Sequence, residues 1–264
     1  FLKGLFHSKP LTYWDYTEVD TLLTLQKQRT DFPDEFIFIV YHQVTELLLS
    51  LIKHELHQVV FVMVFSNKMM LEKISRCTRY IDVLISSFSV MSRGMDYHQY
   101  NQFRLALAPA SGFQSAQFRE IELYCTNLIN LVKTEHKKLV QDDLPTEHVF
   151  DYMYWKDAGI NRQTGAKSMT LRLFEEKYLA GFIATAKKCK DTNLENLFHS
   201  LHQNDENYAE LKKALRKFDY LFNIKWPITH LETAESYLIE AGVKKAATGY
   251  SDWQKYLHPS YQRR

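Results

Sequence analysis

Residues 34–65 read DEFIFIVYHQVTELLLSLIKHELHQVVFVMVF. From Phe36 to about Phe65 apolar side chains fall almost all the way round a helical wheel, and Asp34-Glu35 stand where first-turn acids favour a helix N-terminus. A helix of that kind is expected in the middle of a bundle, with other helices covering every side. Its longest uninterrupted apolar run, Val59 to Phe65, is far short of the ~20 residues needed to span a bilayer, so no membrane crossing is expected.

Working outward, the flanking sequence continues in the same helical key. A short arm, residues 1–18, carries Thr12-Tyr13-Trp14-Asp15-Tyr16 and leads into a helical pattern at Val19, Leu22, Leu23 and Leu25, which Arg29 to Pro33 interrupts. Downstream the spacing predicts helices over about Leu71–Met91, His98–Ala108, Gln114–Val140, Leu171–Lys190 and Tyr208–Phe222. A last one starts at Trp226-Pro227, where proline suits a first turn, and runs to about Ala241. The least regular stretch, about 141–170, holds Pro145, Gly159 and Gly165. No internal repeat or low-complexity segment interrupts this pattern. The expectation is one all-α domain over 1–264, a helical bundle with an N-terminal arm and an irregular insertion.

Composition agrees and excludes alternatives. The 264 residues include 8 Gly and 6 Pro, too few turn formers for a many-stranded sandwich or barrel. Lys and Arg (33) nearly balance Asp and Glu (31), so no basic field for nucleic acid or an anionic membrane surface is present. Cys77, Cys125 and Cys189 are odd in number and far apart, which indicates neither a disulfide scaffold nor a zinc site. The opening FLKGLFHSKP lacks a signal peptide's apolar core. A reducing, cytoplasmic setting is expected.

Four constellations could carry chemistry. Phe38, His42 and Glu46 are spaced four apart and share one helix face. An imidazole in an apolar helix must find a partner or shed its charge; a core histidine bonded to a neighbouring carbonyl is the plainer reading of the spacing alone. Tyr100 and Arg104 lie one turn apart ahead of the Pro109-Ala110-Ser111-Gly112 turn. The planar fork of an arginine there matches a carboxylate, although an internal salt bridge would use it equally. Trp226-Pro227-Ile228-Thr229-His230 places an imidazole one turn into the last helix. One histidine cannot make a zinc site, but it suffices as an axial haem ligand. Ala247-Thr248-Gly249-Tyr250 could present a hydroxyl to a small polar ligand, or be only a turn. No nucleophile elbow, dinucleotide fingerprint, P-loop or HExxH motif occurs.

The blocks LTYWDYTEVDTLL, DEFIFIVYHQVTEL, FRLALAPASGFQSAQFR, KWPITHLETAESYL and ATGYSDWQKYL follow one another from about Leu11 to the end of the chain. In order and spacing they resemble the tryptophan 2,3-dioxygenase family of haem enzymes, HQxxEL and SGFQSxQFR most specifically. The resemblance implies an all-helical fold around a b-type haem that is ferrous when active, and a homotetramer. It also implies insertion of both atoms of O₂ into the indole 2,3 bond of L-tryptophan to give N-formylkynurenine, the first step of tryptophan degradation by the kynurenine pathway.

Carried over residue by residue, His230 matches the axial haem ligand, with Trp226 beside the cofactor, and His42 matches the distal histidine that accepts the indole N–H. Phe38 matches the pocket wall, Arg104 the carboxylate clamp with Tyr100 beside it, and Ser111 a serine at the haem edge. Thr248 matches a threonine touching the substrate's ammonium and carboxylate, after a short insertion. Tyr13 and Tyr16 match aromatics that a neighbouring subunit's arm donates. Three places depart from the family pattern: Tyr250 replaces a second glycine, Thr17 an apolar residue of the arm, and Leu48-Leu49-Ser50 an aromatic and lysine pattern. Two alternatives remain open at this point, a related haem monooxygenase of a tryptophan or tyrosine analogue and a non-catalytic haem-binding helical protein.

Overall fold

A computed structural model describes residues 11–61, 66–106, 114–140, 144–161 and 163–239. The architecture is all-α: among the described residues β pairing is limited to the isolated bridges Val132–Met153 and Ile160–Lys167. Two long helices form the spine, α1 (Asp34–Val60) and α2 (Asn67–Gly94). They run antiparallel, as cross-contacts at both ends show: Cys77 reaches the Ile52 carbonyl, Lys73 and Arg76 hold Glu55, and Phe88 meets Tyr41. Ser66 caps α2 by accepting from the Met69 N–H at 3.2 Å.

Around the spine pack α3 (Tyr97–Ala106), α4 (Ala116–Cys125), α5 (Met169–Cys189), α6 (Leu194–His199), α7 (Tyr208–Tyr220) and α8 (Trp226–Ile239). The main core is aliphatic, with Leu49, Ile52, Leu56, Ile74, Ile81, Leu84, Ile121 and Leu211 all fully buried. Each such side chain stabilises the fold by roughly 1.5–3 kcal/mol relative to exposure. A second cluster, built on Val132, Phe150, Met153, Trp155, Leu171 and Phe174, lies under the irregular segment. A third, Tyr41, Phe88, Met91, Met95 and Phe103, lies against the functional residues.

Three expectations are corrected. First, α1 is not covered all round: Phe36, Val44, Leu47 and Leu51 stay 40–53% exposed while the opposite face holds the core. With half-buried Val40 they form one stripe at four- and three-residue spacing, an apolar face that the described residues leave open. By length and composition α1 could cross a membrane, yet its other face is committed to this core.

Second, the helix predicted over Gln114–Val140 stops at Cys125 and gives way to 3₁₀ turns. Its next residues are captured by a carboxylate remote in sequence: Glu195 accepts from the Thr126 hydroxyl at 2.6 Å, the Asn127 N–H at 2.9 Å and the Asn130 amide at 3.0 Å. Those bonds offer the backbone an alternative to the helical ladder. Burial alone would raise the Glu195 carboxyl, but these donors hold it below its ordinary 4.5. A depressed folded value means stability present above pH 4.5 and lost as the pH falls further. Urea midpoints measured at pH 7 and pH 3.5 should therefore drop on acidification, and the drop should shrink in Glu195→Gln; equal drops in the two proteins would contradict the assignment.

Third, the last two helices are not separated by a break. A π turn, Leu221–Lys225, joins α7 directly to α8. Pro227 supplies no N–H and its ring crowds the carbonyl one turn back, so the ladder widens just ahead of it.

The irregular segment is tied down by charge and by close packing. Arg119 on α4 donates to Glu122 at 2.8 Å and to the Tyr154 hydroxyl at 2.9 Å, and Tyr154 in turn bonds Glu122, all three being buried. Lys156, also buried, pairs with Glu175 of α5 at 2.5 Å. At Gly159 a Cβ would lie 2.6 Å from the Leu171 Cβ at the start of α5. Gly159→Ala is expected to destabilise the protein by about 1–3 kcal/mol in urea unfolding through this overpacking, and a wild-type midpoint would refute it.

Candidate functional site

The site is built where the start of α1, the whole of α3 and the start of α8 meet beside α2. Asp34 fixes the first of these contacts: its carboxylate accepts from the Asp96 N–H, and its own N–H donates to Gln99 Oε1 at 3.2 Å. Glu35 anchors the preceding loop by accepting from the N–H groups of Arg29 and Thr30 at 2.9 and 2.8 Å. The first turns of α1 and α3 are thereby held side by side. Farther along α1, Gln117 donates to the Glu46 carbonyl at 2.7 Å and to its carboxylate at 3.0 Å. The two most characteristic sequence blocks thus meet in one hydrogen-bonded contact.

Four of the residues singled out in the sequence are brought together. The Phe38 ring lies 4.1 Å from the His42 ring and 6.2 Å from Tyr100, and the Arg104 guanidinium sits 5.8 Å over Tyr100. His42 Nδ1–H donates to the Phe38 carbonyl at 2.7 Å. With that proton committed, Nε2 carries the lone pair and faces outward as an acceptor. Desolvation pushes the His42 imidazole below its ordinary range, against the Phe38 bond and the Glu46 charge, so the ring is neutral.

His230 approaches from α8. Its ring centre is 5.8 Å from Phe88, which is in turn 5.9 Å from Tyr41, itself packed edge-on to His42 at 5.4 Å. Burial, with added repulsion from His42, pushes the His230 imidazole down to about 4. Two neutral imidazoles therefore lie within electrostatic reach of each other. Both keep accessible surface although they are desolvated, as side chains do when they line a hollow. Phe38 and Tyr100 are half-buried beside them, backed by the buried rings of Tyr41, Phe88 and Phe103. Trp226 stacks on Phe118 at 5.3 Å and Phe222 at 6.4 Å. Its buried Nε1–H has no acceptor among the described residues.

The donor set fits a macrocyclic iron cofactor. No group of three or more His, Cys, Asp or Glu among the described residues could hold a bare metal ion. A single neutral imidazole is enough for an iron whose equatorial positions a porphyrin already fills. An apolar, aromatic hollow suits such a ring, and the orphaned Trp226 N–H is a donor free to meet a carboxylate at its edge.

Other expectations fall elsewhere. Tyr13 and Tyr16 sit on a short helical turn, Tyr13–Thr17, and stand 75% and 74% exposed. They are not drawn into this chain's own site. Ser111 and Thr248, and with them Tyr250, lie outside the described residues. The sequence reading missed Tyr41, Phe88 and Phe103. Phe103, fully buried between Tyr100 and Arg104, could have been found from its neighbours. Phe88, on α2, had no local signal at all.

Comparison with known proteins identifies the family. The tryptophan 2,3-dioxygenase family model matches residues 4–150. Among curated relatives, the tryptophan 2,3-dioxygenase of Exiguobacterium sibiricum is 35% identical over 150 residues, 54% of this chain and 53% of the relative. That of Ralstonia pickettii is 33% identical over 151 residues, 54% of each, and that of Ruegeria pomeroyi 35% over 123 residues, 46% of this chain and 44% of the relative. The matched segment thus spans about half the length of those relatives. Phe38, His42, Tyr100, Arg104 and Ser111 fall inside the family match; Trp226, His230 and Thr248 lie beyond it.

Proposed function

Because this chain belongs to the tryptophan 2,3-dioxygenase family, we propose that it cleaves the indole 2,3 bond of L-tryptophan with O₂ to give N-formylkynurenine, using a haem b held by His230. The observation that supports the reading is the contact chain Phe38, His42, Tyr100 and Arg104, linked to His230 on α8 through Tyr41 and Phe88. A ferrous haem supplies the binding and activation of O₂ when present.

The chain's own residues do the rest. Arg104, held against the Tyr100 ring, clamps the substrate carboxylate through its paired N–H groups. Phe38, backed by the buried Phe103 in edge contact at 5.7 Å, gives the indole an apolar wall. His42 Nε2, left as an acceptor by the Nδ1 bond to Phe38, takes the indole N–H and fixes the ring's rotation. Indole N–H is far too weak an acid for a neutral imidazole to deprotonate outright, so His42 orients the substrate and steadies charge developing on its nitrogen. The aromatic lining keeps water from the reacting carbons. Ser111 and Thr248 complete this reading as contacts to the haem edge and to the substrate's ammonium and carboxylate.

A homotetramer belongs to the same proposal. The exposed stripe Phe36–Val44–Leu47–Leu51 and the exposed Tyr13, Trp14 and Tyr16 are apolar surface of the kind a second subunit covers. Tyr13 and Tyr16 would then complete a neighbour's site. A cytoplasmic setting fits Cys77, Cys125 and Cys189, all free thiols.

The direct test supplies the purified chain with hemin, a reductant and L-tryptophan under ¹⁸O₂. The product is expected to be N-formylkynurenine carrying two labelled oxygens. A product with one label would replace the proposal by monooxygenation, and no product with any indole amino acid would end it.

A further inference from the structure

The chain reaches His230 through α7, the π turn Leu221–Lys225 and α8 without leaving helical geometry. Along this rod Phe218, Phe222, Trp226 and His230 stand four residues apart. In an unbroken α-helix each such step turns by about 40°, so His230 would point roughly 120° away from Phe218.

The contacts do not fan out in that way. Phe218 stacks on Phe222 at 5.7 Å and Phe222 on Trp226 at 6.4 Å, while Phe118 of α4 lies against Phe222 and Trp226 at 4.5 and 5.3 Å. Trp226 packs on both the main core and the third cluster, and His230 meets Phe88 of that third cluster at 5.8 Å. One face therefore stays on the core from Phe218 to His230.

The π turn is the physical cause. The Trp226 N–H donates to the Leu221 carbonyl, five residues back rather than four, so one residue is taken up without advancing the ladder. Every later side chain is set back by about 100°, and the angle between Phe218 and His230 falls from roughly 120° to about 20°. Without the surplus residue, Lys225 would take the place of Trp226, and Thr229 would face Phe88 in place of His230. Pro227 has no N–H to give the Asn223 carbonyl four residues back, which keeps the ladder from closing to α register.

We propose that the π turn is a register device for the iron ligand: the residue it absorbs brings His230 onto the face of Phe218, Phe222 and Trp226, and Pro227 is a positioning residue that holds the turn open. This role rests on the reading of His230 as the axial haem donor and accounts for how that donor is delivered.

Deleting Asn223 together with Pro227→Ala removes the surplus residue and lets an unbroken α ladder form in the same register. Hemin titration of this full-length variant should give one equivalent bound, an unchanged Soret maximum and a Kd within about threefold of the unaltered chain. Deleting Thr229 shortens the chain equally but beyond the turn, and should weaken hemin by about tenfold or more. Should the Asn223 deletion fail to fold by circular dichroism, deletion of Lys225 with Pro227→Ala removes the same surplus; failure of both overturns the proposal, because no residue of the turn would then be surplus. Loss of hemin by a folded double variant, or unaltered binding after deletion of Thr229, overturns it equally. If the unaltered chain takes up no hemin, it is the haem reading that fails. The register is then read from nuclear Overhauser contacts between the His230 and Phe88 rings: the double variant should keep them and the Thr229 deletion lose them, and any other pattern ends the register device.

Discussion

His230→Ala is expected to abolish haem capture. Titrated with hemin, the unaltered chain should reach one equivalent and develop a Soret band, whereas the variant should retain only the weak, non-specific absorbance of free hemin. The reason is that the proposal gives the iron to His230 and the Nε2 of His42 to the substrate's indole N–H, and no cluster of other ligands exists among the described residues to replace His230. His230 is desolvated to the point that its pKa is pushed down to about 4, so it is an unprotonated donor at any physiological pH. Loss of the side chain removes an iron–nitrogen bond while leaving the aromatic hollow in place, so added imidazole should restore much of the spectrum. Circular dichroism of the variant should be unchanged. A variant that binds hemin stoichiometrically with an unaltered spectrum would refute the assignment.

The second large effect is expected at Arg104. Arg104→Ala should keep its haem and its Soret band but lose kcat/KM for L-tryptophan by about 10²–10³-fold, the scale of a lost charge-assisted, bidentate contact of roughly 3–4 kcal/mol. Arg104→Lys should recover only part of this, because an ammonium cannot form the parallel pair of bonds. Indole analogues that lack the carboxylate should be nearly indifferent to either change. That difference separates substrate clamping from a general disturbance of α3, which would affect all substrates alike. If L-tryptophan and carboxylate-free indoles lost activity equally, the clamp would not exist.

Several features were legible in the sequence because they are local. The 3.6-residue periodicity and scarcity of turn formers announced the all-α class. Phe38, His42 and Glu46, and likewise Tyr100 and Arg104, share helix faces through spacing alone, and the structure keeps both groups on their faces. What was misread depends on groups distant in sequence. The helix expected to run through Val140 ends at Cys125 because Glu195, some seventy positions on, binds the next backbone and side-chain donors. The outer stripe of α1 looked like core because apolarity on a wheel does not say how many neighbours one chain can bring to it.

The sequence by itself therefore determined the helices, the face each functional side chain occupies and the kind of donor at each position, since these follow from short-range backbone geometry. Only the tertiary structure decided that Phe88 bridges the neighbourhoods of His42 and His230. It also decided that both imidazoles are neutral, because desolvation depends on what surrounds a group in space, and residues nearly two hundred positions apart supply that surrounding.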